Sequence, residues 1–159
     1  MFRFQPGTAG ERPPKREGSS AATPMDTTPS EAGEPLPNFD LNVTATVVVA
    51  GAIASRDFMP VHHDRDYAQA QGAPDIFMNI LTTNGYVARY VTDWAGPDAM
   101  LRRIAIRLGG PAVPNYVLRF TGHVASERHE AGERVLEVAV RLANDLGDHA
   151  TGTVELTLP

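Results

Sequence analysis

Apolar residues recur with a helical period in one long segment of the chain, Ile76 to Ala95. Spacings of three and four residues place them on one helix face, and Gly96-Pro97 follows as a stop signal. We therefore predict one long helix from Ile76 to Ala95. The members of the apolar face are Phe77, Ile80, Leu81, Val87, Ala88, Val91 and Trp94.

Four later segments place apolar residues at alternate positions, which is the period of a half-buried strand. Stretches typical of turns separate them, at residues 109–111, 130–133 and 144–148. Consecutive strands joined by short turns pair antiparallel. The alternating residues are Ile104, Ile106 and Leu108; Leu118, Phe120 and Val124; Leu136, Val138, Val140 and Leu142; and Val154, Leu156 and Leu158.

Two shorter elements precede the long helix. Val43 to Ile53 is rich in β-branched residues and predicts a strand, in which Gly51 marks a bend or a close approach. Asp64 to Gln71 predicts a short helix, with Asp64 or Asp66 near its N-terminus and Gly72 just past its end.

The resulting order is a strand, a helix and four strands. A helix of about 17 residues is about 25 Å long, close to the length of a seven-residue strand, so an antiparallel sheet can wrap it. We predict an α+β hot-dog fold, an antiparallel sheet around one long central helix. In this fold, dimerisation commonly extends the sheet across two chains.

Composition divides the chain into two parts. Residues 1–37 contain seven prolines and four glycines and almost nothing large and apolar after Phe4, which predicts a disordered Pro/Gly/Ser/Thr-rich tail. Residues 38–159 are predicted to form one domain.

Charge and residue usage exclude several functions. A net charge of -5 argues against nucleic-acid binding, and the absence of cysteine excludes disulfides and thiolate chemistry. The only lysine is Lys15, so a lysine base or Schiff base is not expected in the domain. The longest apolar run, Val47 to Ala54, is too short for a bilayer, and no secretory signal follows Met1. We expect a cytoplasmic protein without membrane contact.

Candidate chemistry concentrates at Asp57 and His62. A helix would leave these side chains about 140° apart, but Pro60 favours a kinked loop in which they can converge. A carboxylate beside an imidazole makes a general base that works near neutral pH, because it fixes the tautomer and stabilises the charged form. The competing interpretation is a capping aspartate and a packed histidine.

Other site types are less well supported. Metal binding through His62, His63, Asp64 and Asp66 lacks a distant ligand, so no metal site is predicted. Ser55 has no Gly-x-Ser-x-Gly context, which argues against serine hydrolysis. His123, His129 and His149 receive no role.

The stretch DFMPVH at residues 57–62, followed by Asp64 and Ala68, resembles the hydratase motif of the MaoC-like (R)-specific enoyl-CoA hydratases. The likeness covers residues 36–159 and includes DIFMNILT (75–82), RYVTDWAGP (89–97) and LGDH (146–149). The resemblance implies a hot-dog hydro-lyase in which Asp57 and His62 activate the water that adds to the enoyl double bond.

The longer stretches resemble the small MaoC-like subunits of two-chain steroid enoyl-CoA hydratases of cholesterol side-chain degradation. That resemblance implies a steroid enoyl-CoA substrate, no cofactor other than the CoA of the substrate, and a larger MaoC-like partner in a heterodimer or heterotetramer. It also implies a tertiary alcohol product that a downstream aldolase cleaves.

Many MaoC-like hydratases have His-Gly before the central helix, where this chain has Met78-Asn79. The backbone N–H of Asn79, at a helix N-terminus, is our candidate for holding the thioester oxygen.

Three alternatives stay open. One is a non-catalytic hot-dog partner subunit, and another is a homodimeric hydratase of shorter enoyl-CoA thioesters. The third is a thioesterase, for which Asp93 lies at the wrong end of the central helix.

Overall fold

The computed structural model describes residues 33–159, which form a five-stranded antiparallel sheet around one long helix. The strands follow the order β1-β3-β4-β5-β2, and α3 lies across them. This arrangement confirms the predicted hot-dog fold. The strands are β1 (Phe39–Asn42), β2 (Met100–Leu108), β3 (Val117–Glu130), β4 (Glu133–Asn144) and β5 (Gly147–Leu158); the helices are α1 (Ala45–Ala54), α2 (Arg65–Ala70) and α3 (Ile80–Ala95).

The predicted strand from Val43 to Ile53 is wrong, because most of this segment forms α1. A short apolar run without polar alternation fits a buried helix as well as a strand. Thr44 starts the helix, since its hydroxyl accepts a hydrogen bond from the Val47 N–H. The close approach predicted at Gly51 is confirmed, because a Cβ there would collide with the side chain of Thr82 on α3.

Local capping signals set the ends of the next two helices. Asp64 caps α2 by accepting from the Tyr67 N–H, and Gly72 follows that helix with a φ of 88°. The helix predicted from Ile76 starts at Ile80, because Asn79 is extended and caps it, and residues 76–79 belong to no helix. Gly96, with a φ of 87°, ends it as predicted.

The four predicted strands after α3 are confirmed, but the first of them does not pair with its sequence neighbour. β3, β4 and β5 pair consecutively, whereas β2 pairs with β5 at the edge of the sheet. The chain leaves β2 through Gly109 and Gly110, whose N–H groups donate to carbonyls of His149 and Asp148. The segment after β2 is therefore a crossing connection, not a hairpin turn.

The packed chain also begins earlier than the predicted boundary at residue 38. Gly33 and Leu36 donate backbone hydrogen bonds to Val124 and Gly122 of β3, and Leu36 is buried. This segment packs despite its turn-forming composition, because the Leu36 side chain is buried and the backbone pairs with β3. The rest of the predicted tail, residues 1–32, lies outside the described residues.

The core lies between α3 and one face of the sheet. Val87, Tyr90 and Val91 of α3 are buried against residues such as Phe120, whose ring centroid lies 5.7 Å from that of Tyr90. Within residues 33–159, the Tyr90 hydroxyl is buried without a hydrogen-bond partner. In the same range, no helix has the length and apolar character needed to cross a membrane.

Candidate active site

The loop after α1 brings Asp57 and His62 together. Arg56, with a φ of 57°, turns the chain out of α1, and Pro60 then opens a 3₁₀ turn from Pro60 to His62. The kinked loop expected around Pro60 is therefore present. His62 Nε2 lies 3.2 Å from Asp57 Oδ2, and the His62 side chain is only 7% exposed.

The tautomer of His62 is set on the other side of its ring. Nδ1 lies 2.7 Å from the carbonyl oxygen of Phe77. A carbonyl only accepts, so Nδ1 carries a proton and donates it. Nε2 has a lone pair when the ring is neutral, and an N–H that donates to Asp57 Oδ2 when the ring is charged. The sequence analysis predicted that Asp57 fixes the tautomer of His62. That prediction is wrong, because the Phe77 carbonyl fixes it by accepting the Nδ1–H.

Asp57 is held as a carboxylate by its hydrogen bonds. The side-chain amide of Asn79 contributes most to lowering the pKa of Asp57 below its usual value, and the Met59 N–H and the neighbouring His62 add to the effect. Burial of this partly exposed carboxyl group opposes them. At neutral pH, Asp57 therefore accepts hydrogen bonds and holds no proton to give.

Asn79 has a second role in this geometry that sequence reasoning missed. Its side-chain NH₂ donates to Asp57 Oδ2 at 3.0 Å and to Ser55 Oγ at 2.8 Å, while its Oδ1 accepts from the Thr82 N–H at 2.9 Å. Together, these three contacts fix one rotamer of Asn79, so the residue that caps α3 also orients Asp57. The preference of Asn for helix N-caps was the available signal.

Ser55 serves this network and shows no nucleophile geometry. Its hydroxyl donates to the Gly51 carbonyl at 2.8 Å and accepts from Asn79. Next to it, a groove of about 350 Å³ runs between α1 and α3, lined mainly by apolar groups and reaching Tyr86 and Arg89. An apolar part of a ligand can lie there without burying unpaired polar groups.

The remaining residues of the motif point elsewhere. His63, Asp64 and Asp66 are exposed, and Asp64 is used as the cap of α2. Across residues 33–159, no three His, Asp or Glu side chains are grouped as a metal site requires.

Known proteins resemble this chain in sequence and in fold. The β subunit of 3-oxo-4,17-pregnadiene-20-carboxyl-CoA hydratase of Mycobacterium tuberculosis is 48% identical over 126 residues, which cover 79% of this chain and 95% of that protein. The chain belongs to the MaoC-like hydratase family. Membership confirms the resemblance seen in the motif and the predicted enzyme class. No protein-family model matches the chain.

Solved structures agree with this family assignment. A chain of the ChsH1-ChsH2 complex of Mycobacterium tuberculosis superposes with a TM-score of 0.77 at 46% identity, covering 82% of this chain and 99% of that one. The R-hydratase PhaJ1 of Pseudomonas aeruginosa shares the fold at a TM-score of 0.72 and 19% identity, covering 82% and 83%. The MaoC-like fold is thus common to close and distant relatives.

Proposed function

We propose that this chain is the catalytic small subunit of a heteromeric enoyl-CoA hydratase that adds water to the unsaturated side chain of a steroid acyl-CoA. The observation that carries the proposal is the contact between Asp57 Oδ2 and His62 Nε2, which lie 3.2 Å apart. The relative that is 48% identical is named for such a steroid thioester. A purely structural partner subunit would have no use for a carboxylate held beside an imidazole.

With the His62 ring neutral, the attacking water donates one O–H to His62 Nε2 and the other to the Asp57 carboxylate. As its oxygen bonds to the β-carbon, one O–H bond breaks and the proton moves to His62 Nε2, which becomes an imidazolium. The ionised Asp57 stabilises that imidazolium by Coulomb attraction. Phe77 still accepts the Nδ1–H, so the ring keeps its orientation during the transfer.

The electron pair of the double bond moves toward the thioester as an enolate. The backbone N–H of Asn79, at the positive end of the α3 dipole, is our candidate donor to the thioester oxygen. The enolate then collapses and the α-carbon takes a proton from the His62 imidazolium. Asp57 is not the acid in this step, because its lowered pKa leaves it without a proton. Hydration balances with water alone, so the mechanism uses no cofactor.

A larger MaoC-like partner subunit fits the outer surface of the site. α1 is apolar on all sides, and Val49, Ala50 and Ile53 line an open groove on its outer face. Ile53, Phe58 and Met59 are exposed near the dyad in the part of the chain that the structure describes. Helices of this kind are normally buried, which supports a second chain as the cover. The ChsH1-ChsH2 relative is itself a complex of two proteins. A downstream aldolase would act on the tertiary alcohol.

The test is hydration of a steroid enoyl-CoA by this chain co-expressed with its candidate large partner. For His62→Ala, we expect kcat to fall at least about a hundredfold while the complex stays assembled, because the proton carrier is lost. The matched control is His63→Ala, which removes an exposed neighbouring imidazole and should leave kcat unchanged. Equal activity of wild type and His62→Ala would overturn the assignment and favour a non-catalytic partner subunit.

A further inference from the structure

A second histidine, His149, is buried behind the first turn of α3. It stands near the start of β5 and is 2% exposed. Its Nδ1 lies 2.8 Å from the carbonyl oxygen of Gly110, and its Nε2 lies 2.9 Å from the hydroxyl oxygen of Thr83. The ring therefore joins the loop after β2 to the helix that carries Asn79.

The proton positions in this contact are determined by the acceptors. The Gly110 carbonyl only accepts, so His149 Nδ1 carries a proton and donates it. Burial lowers the pKa of His149 below its usual value, which keeps the ring neutral and leaves a lone pair on Nε2. The Thr83 hydroxyl must then donate to Nε2.

Thr83 has a competing acceptor one turn back along α3. Its hydroxyl oxygen lies 3.1 Å from the Asn79 carbonyl oxygen, which already accepts the Thr83 N–H at 3.1 Å. A threonine hydroxyl has one proton, and its donation to the carbonyl four residues back tends to bend a helix. When His149 takes that proton, the first turn of α3 is spared this bend.

We propose that His149 is a positioning residue for the hydration reaction. By accepting the Thr83 hydroxyl proton, it holds the first turn of α3 in the position from which the Asn79 amide reaches Asp57. It touches neither water nor substrate, and it acts through Thr83 and Asn79. The inference rests on the proposed function, because its effect on catalysis requires Asp57 to be part of the site.

The first test compares Thr83→Val with Thr83→Ser in the co-expressed complex. Valine keeps the shape of threonine but has no hydroxyl, whereas serine keeps the hydroxyl. We expect kcat to fall about tenfold in the valine variant, with KM changed less than about twofold, and to stay near the wild-type value in the serine variant. A kcat that is the same in both variants would overturn the proposal.

A second pair of variants separates the two hydrogen bonds of His149. In His149→Gln, the longer amide can still accept from Thr83, whereas in His149→Asn it can replace only the donor to Gly110. We expect the glutamine variant to retain the larger kcat, and the reverse order counts against the proposal. The control is His129→Gln on the exposed part of β3. If His149 and Thr83 act as one unit, Thr83→Val combined with His149→Asn should lose no more kcat than the worse single variant.

A spectroscopic measurement decides the proposal even if the wild type proves inert toward steroid enoyl-CoA, an outcome that would defeat only the proposed function. In ¹⁵N-edited NMR of the histidine rings, we expect His149 as the Nδ1–H tautomer. We also expect a shift of the His62 ring resonances in Thr83→Val but not in His129→Gln. An Nε2–H tautomer of His149, or an unmoved His62 signal, would overturn the positioning role.

Discussion

His62 and His149 both contact residues near the N-terminus of α3 and share one half of their environment. Each donates its Nδ1–H to a backbone carbonyl, that of Phe77 or that of Gly110. The difference lies at Nε2, which faces the Asp57 carboxylate in one case and the neutral Thr83 hydroxyl in the other. A carboxylate stabilises a charged ring by Coulomb attraction, which an uncharged hydroxyl does not supply. The first arrangement therefore suits proton transfer, and the second suits a fixed neutral contact.

Removing the charge of Asp57 should have the largest effect on kcat, because Nε2 of His62 would then face an uncharged group, as Nε2 of His149 does. In Asp57→Asn the shape stays but the carboxylate is lost, and we expect kcat to fall about a hundredfold or more. Steady-state hydration kinetics measure it, with Asp66→Asn on the exposed side of α2 as the control. Activity within a few-fold of wild type would mean that His62 needs no charged partner.

Replacing Asn79 with Ser tests the link between the helix cap and the carboxylate. Serine also caps helices well, so stability should change little, but the amide donors to Asp57 and Ser55 are lost. The Asn79 hydrogen bond is the largest cause that lowers the pKa of Asp57, so the pKa should rise toward its usual value. We expect kcat about tenfold lower and a higher Asp57 pKa in a ¹³C NMR titration of its carboxyl group. An unmoved Asp57 pKa would contradict this role of Asn79.

We expect folding stability to depend on pH through His149, because its ring is buried beside a neutral hydroxyl and not beside a carboxylate. Its folded pKa is lowered below 6.5, so below pH 6.5 the unfolded chain binds more protons than the folded one. Stability should therefore fall as pH drops from 6.5 to the folded pKa, by at most about 1.4 kcal/mol per pH unit. Thermal unfolding between pH 8 and pH 5 measures it. The slope should flatten in His149→Gln and persist in His129→Gln.

We expect the smallest effect at Tyr90, whose buried hydroxyl lacks the kind of partner that each of the two histidines has. Its hydroxyl has no hydrogen bond within residues 33–159, and burial raises its pKa to about 12. Tyr90→Phe removes the unpaired group while keeping the ring packing against Phe120. We expect the free energy of unfolding to rise by up to about 1 kcal/mol in denaturant titrations. A clear loss of stability would show that the hydroxyl has a partner.

The sequence alone determined the secondary structure of the segments that have a regular apolar period or a capping residue. The alternation in β2 to β5 and the helical face of α3 each required one type of element, since only one period buries all their apolar residues. Asp64 and Gly96 set helix ends through contacts within a few residues. The convergence of Asp57 and His62 was also predictable, because Pro60 kinks a short loop between them. Their catalytic roles remain predictions.

Tertiary structure decided the features that depend on distant neighbours. The apolar run of α1 fits a helix or a strand until α3 packs against Gly51. The pairing of β2 with β5 and of residues 33–36 with β3 joins segments far apart in sequence. Thr83 and His149 are 66 residues apart. No local pattern records such contacts, because their energy comes from burying and pairing groups that only the folded chain brings together.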